Sequence, residues 1–166
     1  MSNPQRPPAS RVRTRLGVPK RRESSSLPVT SSWYAKLPPE FARIGISRYG
    51  PRGQRGFRTY RPLAPGEWFK TASALEFRAL YMEQLSKLDP GQVLRGLEAL
   101  AEGRTPALLC HEKPPPDTRW CHRALVSAWL ADALGIAVTE YGHEAEGTGW
   151  SHPKLPAAWR QDSNTA

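Results

Sequence analysis

The 166-residue chain predicts an α/β fold: a small, mostly parallel sheet with flanking helices in a Rossmann-like three-layer arrangement, preceded by a disordered basic N-terminal tail. Three observations predict it. Pro106-Ala107-Leu108-Leu109-Cys110 is short and apolar, the pattern of a strand covered on both faces. Leu125, Val126, Trp129, Leu130, Ala133 and Leu134 then recur at helical spacing, Gly135 stops the pattern, and Ile136 to Tyr141 returns to that of a strand. Strand, helix and strand so spaced form a parallel unit with a right-handed crossover. Charge is the third observation, because the formal net +9 is unevenly spread.

Residues 1–36 are expected to be the tail. They hold eight Lys/Arg against one acid, Glu23, and are broken by Pro4, Pro7, Pro8, Pro19 and Pro28, with Ser24-Ser25-Ser26 between. So few apolar residues cannot offset the entropy of ordering the chain. Residues 37–166 carry 16 basic and 14 acidic residues, so the body is only +2. The plain reading of the tail is solubilisation. The sharper one is an arm for nucleic acid or an acidic partner, weak and salt-dependent.

One α/β domain is expected over 37–145 and an irregular extension over 146–166. Order begins near Trp33, and Phe41 to Ser47 alternates as a strand does. The loop from Arg48 to Pro65 carries Arg48, Arg52, Arg55, Arg58 and Arg61 with no acid, interleaved with Tyr49, Phe57 and Tyr60. Loops this long in a compact domain are often functional. Ser73-Ala74-Leu75-Glu76 has the capping-box pattern, followed by Phe77, Leu80, Tyr81, Leu85 and Leu88 on one helical face. Asp89 caps a second helix with Pro90 in its first position; Val93, Leu94, Leu97 and Leu100 form its stripe, and Gly103 is a natural stop. After a proline-rich turn over 111–117, the third helix is expected near Thr118, with Cys121, His122 and Arg123 in its first turn. Trp150 and Trp159 are candidates to pack back onto the body.

Composition also excludes. No stretch approaches the roughly 18 apolar residues of a membrane span, and the first 30 residues lack the apolar core of an export signal. With two cysteines, this points to a reducing cytosol, where a structural disulfide is disfavoured and thiol chemistry or metal binding gains weight. No dinucleotide fingerprint, P-loop or Ser-His-Asp arrangement is present.

Ligands of open parallel sheets bind beyond the carboxyl ends of the strands. There the reading converges Cys110, the first turn of the third helix, and Ser47-Arg48. Free N–H groups at a helix start favour an anion and lower a thiol pKa. Cys121, His122 and Cys110 are therefore the catalytic candidates, Cys121 as nucleophile or redox thiol and His122 as its acid/base partner. Arg48, Arg52 and Arg123 are the anion-binding candidates, with Glu112 to orient Arg123. The plain alternatives are a packed Cys110, a His122 bonded to backbone, and a solvated Glu112. No cofactor is expected. Four zinc ligands from Cys110-His111 and Cys121-His122 are disfavoured, because neighbours on a strand point to opposite faces and neighbours on a helix diverge.

Ala107-Leu108-Leu109-Cys110-His111-Glu112, followed by Cys121-His122-Arg123-Ala124-Leu125-Val126, resembles the bacterial family known as Domain of Unknown Function 488, which includes the YeaO-like proteins. The resemblance covers about residues 41–141. It implies an α/β fold and a shared site built from the cysteines, the Arg of "CHR" and a first-strand Arg, with no established activity. The proline-rich turn over 113–120 departs from the pattern. Two functions follow as expectations. One is a small cytoplasmic enzyme acting on an anionic, nucleotide- or nucleic-acid-like substrate. The other is a non-catalytic nucleic-acid-binding accessory protein using the loop 48–61 and the tail.

Overall fold

The computed structural model describes residues 26–161. A four-stranded, wholly parallel sheet is formed by β1 (Val29–Ser32), β2 (Phe41–Gly45), β3 (Arg58–Thr59) and β4 (Thr105–Cys110) in the order β1-β4-β2-β3. Three helices accompany it: α1 (Ala74–Ser86), α2 (Pro90–Ala101) and α3 (His122–Leu134). The α/β class and the parallel sheet are as predicted. Among the described residues, no helix is long and apolar enough to cross a membrane.

The helix starts follow from their caps. Ser73 accepts from the Glu76 amide while the Glu76 carboxylate accepts from the Ser73 amide, satisfying two orphan donors at the head of α1. Asp89 accepts from the Gln92 amide and Pro90 opens α2. Gly135, at φ 65°, closes α3 in the left-handed conformation.

Phe77, Tyr81 and Leu85 of α1, Val93, Leu97 and Ala101 of α2, and Leu125, Val126 and Leu130 of α3 join Ile44 and Leu108 in one buried cluster. The opposite face carries Trp33, Ala107 and Leu109, packed by Leu37, Phe41 and Phe57. Its covering layer is thus side chains from loops and strand edges. Gly45 makes this possible, since a Cβ there would sit 2.5 Å from the Trp33 ring. The Trp33 indole N–H in turn donates to Ser47 Oγ at 3.0 Å, which steers the exit of β2 toward Arg48.

Three expectations are corrected. The tail expected over 1–36 lies outside the described residues as far as residue 25, but Val29–Ser32 is a strand, so the domain begins before residue 37. The segment Ile136–Tyr141 does not pair with β4. It makes two isolated bridges instead, a parallel one between Thr30 and Glu140 on the far side of β1 and an antiparallel one between Thr139 and Thr148, because β1 occupies the place beside β4. α3 begins at His122 rather than near Thr118. The extension after Gly142 folds as short 3-10 turns, and Trp150 and Trp159 pack on the core as expected.

Candidate functional site

All four strands point one way, so Ser32, Gly45 and Cys110 end at the same edge of the sheet. β4 carries Cys110 there, and the following turn brings Cys121 back as the N-cap of α3. The two sulfurs are joined as a disulfide, with S–S 2.08 Å and Cα–Cα 7.5 Å. This corrects the expectation that a disulfide is disfavoured. Strand end and helix start converge regardless of compartment, and the sulfurs meet across 11 residues of sequence.

His122 is buried beside them. Its Nε2–H donates to the carbonyl of Ile46 at 3.0 Å, so Nδ1 is the unprotonated nitrogen, 3.9 Å from Cys121 Sγ. Burial depresses the imidazole pKa to about 4, against a smaller upward pull from the Ile46 carbonyl, so the ring is neutral at neutral pH. Cys110 Sγ, Cys121 Sγ and a His122 ring nitrogen all lie within 4.8 Å of one another. His111 takes no part; it is exposed and bonds the Tyr49 carbonyl at 2.7 Å.

Arg123 turns away from the cleft. It is fully buried, and its Nε and Nη2 donate to both carboxylate oxygens of Glu140, at 3.0 and 2.7 Å. Its Nη1 donates to Cys110 Sγ at 3.2 Å and to the backbone carbonyl of Glu112 at 2.9 Å. A guanidinium so committed holds the cysteine from behind and has no face for a ligand, which corrects its assignment as an anion contact. Nor does the Glu112 carboxylate orient Arg123; its Oε2 stands 3.6 Å from Cys110 Sγ.

Sequence reasoning missed the rest of this network. Lys154 N–H donates to His152 Nδ1 at 3.1 Å, so the proton of that ring is on Nε2, which donates to Thr30 Oγ1 at 2.8 Å. Thr30 donates onward to Glu140 Oε2 at 2.7 Å. His152 and Glu140 are fully buried and Lys154 nearly so. Burial pushes His152 down to about 4 and pulls toward a higher value for Glu140, but the hydrogen bonds and charge of Arg123 prevail and hold that carboxyl below its usual range. Only the pairing of Glu140 with a buried "CHR" arginine carried a signal: a lone acid in an apolar stretch needs a cation.

In front of the sulfurs lies a cleft of about 320 Å³. Cys110, Cys121 and His122 line it together with Arg48, Phe77 and Trp120; Glu112 and His111 stand among the other lining residues. Arg48 is half-committed: it donates to the Pro65 carbonyl at 3.2 Å and pairs with Glu67, whose carboxyl it holds below the ordinary range. Arg52 is exposed and outside the lining, so the cleft and Arg52 are not brought together. Of the loop aromatics, Phe57 packs edge-on against Trp33 at 4.7 Å and Tyr60 against Gly96, leaving Tyr49 exposed.

A family model described as "Active DUF488-N3 subclade" matches residues 28–134, from the start of β1 to the end of α3. The chain belongs to the DUF488 family. No curated protein and no solved structure matches it significantly. Within this DUF488 chain the matched span holds both cysteines, His122, Arg123 and Arg48, whereas Glu140, His152 and Lys154 fall beyond it.

Proposed function

We propose that this DUF488 protein is a small enzyme that takes an anionic, nucleotide-like molecule into the cleft and works on it with Cys121 and His122. One observation carries the reading: both sulfurs, His122 and Arg48 line a single cleft at the carboxyl end of a parallel sheet, where the N-terminus of α3 also points. The working state is the reduced one, reached when a reductant supplies two electrons and two protons to the disulfide. Cys121 at the N-cap then gains thiolate character from the free amides and dipole of α3. His122 Nδ1, neutral and 3.9 Å away, is placed to accept a hydrogen bond from the Cys121 thiol, whose proton leaves to solvent. Arg48 supplies positive charge for the anion at the rim, and Cys110 is the neighbouring thiol in the same cleft.

Alkylation of the reduced protein by iodoacetamide across pH tests this. The expected result is a Cys121 pKa below the ordinary value of about 8.5, with slower modification when inorganic phosphate or a nucleoside monophosphate is present. An ordinary pKa together with no protection by either anion overturns it.

The non-catalytic reading keeps one support: Arg52, Arg55 and Arg61 are exposed and have no ion-pair partner among the described residues. Phosphate pairing by such a loop would give binding that falls steeply with salt. A titration with single- and double-stranded DNA and RNA at low salt reads it out, and absence of binding ends it.

A further inference from the structure

We propose that, once reduced, Cys110, Cys121 and His122 bind one zinc ion through two thiolates and a ring nitrogen, with the fourth position open to the cleft. The inference goes beyond the thiol reading. Both use the same side chains, and the metal-bound and free-thiol states exclude one another, since Cys121 cannot be ligand and attacking thiol together.

Four observations carry it. The three ligand atoms are already within 4.8 Å of one another. The Cα atoms of the cysteines are 7.5 Å apart, beyond the roughly 4.4–6.8 Å that disulfides usually span. Two thiolates on one zinc, each about 2.3 Å from it, sit roughly 3.8 Å apart, so a metal between them suits a wide backbone spacing such as this.

The donors are also prepared. His122 gives its Nε2–H to the Ile46 carbonyl, which leaves Nδ1 bare on the side of Cys121 and fixes the ring. Arg123 Nη1 at 3.2 Å from Cys110 Sγ supplies a hydrogen bond and positive charge to a thiolate there, and Glu140 holds the guanidinium in place. Outer partners of this kind are what orient metal ligands and tune their basicity. Two sulfurs and an imidazole select a borderline-soft ion such as Zn²⁺ over oxygen-seeking Mg²⁺ or Ca²⁺.

Neighbouring residues converge here for a stated reason. Cys121 is the N-cap, at φ −143° and ψ 144°, so its side chain is not on the helical register that would separate it from His122. No fourth His, Cys, Asp or Glu joins the group among the described residues. Three protein ligands with one side open is the arrangement of a catalytic rather than a structural zinc. Water or the anion beside Arg48 would take the free position. Binding displaces the two thiol protons.

The full chain, reduced with a phosphine in metal-free buffer, is titrated with Zn²⁺ against a chromophoric chelator and separately with Co²⁺. The expected result is one equivalent per chain, thiolate-to-cobalt charge-transfer bands with a tetrahedral ligand-field spectrum, and no uptake before reduction. Cys110→Ser and Cys121→Ser should each weaken Zn²⁺ binding by more than about 100-fold, past the 10–100-fold typical of outer-shell changes, while His143→Ala leaves it unchanged. If the serine variants do not fold, Zn²⁺ protection of both wild-type cysteines from iodoacetamide decides instead. No uptake by the reduced protein, or equal uptake by both serine variants, overturns the zinc site. A low-pKa Cys121 without zinc uptake leaves the thiol reading standing alone; zinc uptake with an ordinary thiol pKa does the reverse.

Discussion

β1 and β4 lie side by side, in register from Val29–Ala107 to Ser32–Cys110, and the interior of each is buried. Their chemistry is opposite. β4 presents Ala107, Leu108 and Leu109, which are stable inside because apolar surface leaves water. β1 presents Thr30, Ser31 and Ser32, whose hydroxyls cost free energy inside unless they are bonded. Thr30 finds Glu140 and His152, 110 and 122 residues away, and Ser32 Oγ accepts the Tyr34 amide. One strand is held by its own composition and the other by distant partners. The second arrangement ties the sheet edge to Arg123, and through Arg123 to the sulfur of Cys110.

Breaking the polar side of this comparison should cost most at Glu140. Glu140→Ala strips the buried Arg123 of its counter-charge, and urea unfolding should show a loss of about 3–5 kcal/mol.

Acid should expose the same dependence. His152 serves β1 and His122 serves the site, and both have folded pKa values depressed from 6.5 to about 4. The unfolded chain therefore takes up these protons first. Stability should be complete above pH 6.5 and decline as pH falls toward 4, at about 1.4 kcal/mol per pH unit for each histidine. His152→Gln should remove one of the two contributions to that slope, read from denaturation midpoints across the window.

Thr30→Val keeps the shape and deletes the hydroxyl through which His152 reaches Glu140. A loss of about 1–3 kcal/mol is expected, against a near-silent change if β1 were held by packing alone. Smallest is Ser31→Ala. Ser31 Oγ is buried with no hydrogen-bond partner among the described residues, so its removal should fall within about 0.5 kcal/mol or stabilise slightly. A large loss there would show that the comparison between the strands misplaces the polar contacts.

What could be read in advance follows the same line. β4, the capping box at Ser73, the Asp89-Pro90 start and the Gly135 stop are signals confined to a few neighbouring residues, and each sits where the pattern puts it. β1 escaped because Val-Thr-Ser-Ser resembles a polar linker until its partners are known. β3 escaped because two exposed residues within an arginine-rich loop carry no strand pattern. Cys110, Cys121 and His122 were legible as candidates from type and position. The inward turn of Arg123 and the exposure of Arg52 were not, because a basic residue looks alike in sequence whether it faces water or a buried acid.

By itself, then, the sequence determined the helices, the buried central strand and the family to which they belong, since those rest on local periodicity and caps. Tertiary structure alone decided that the two sulfurs touch, that β1 is a strand, and that Arg123 supports the site from behind. These depend on which residues meet in space, from Cys110 and Cys121, 11 positions apart, to Thr30 and His152, 122 apart, and no local pattern encodes the partner.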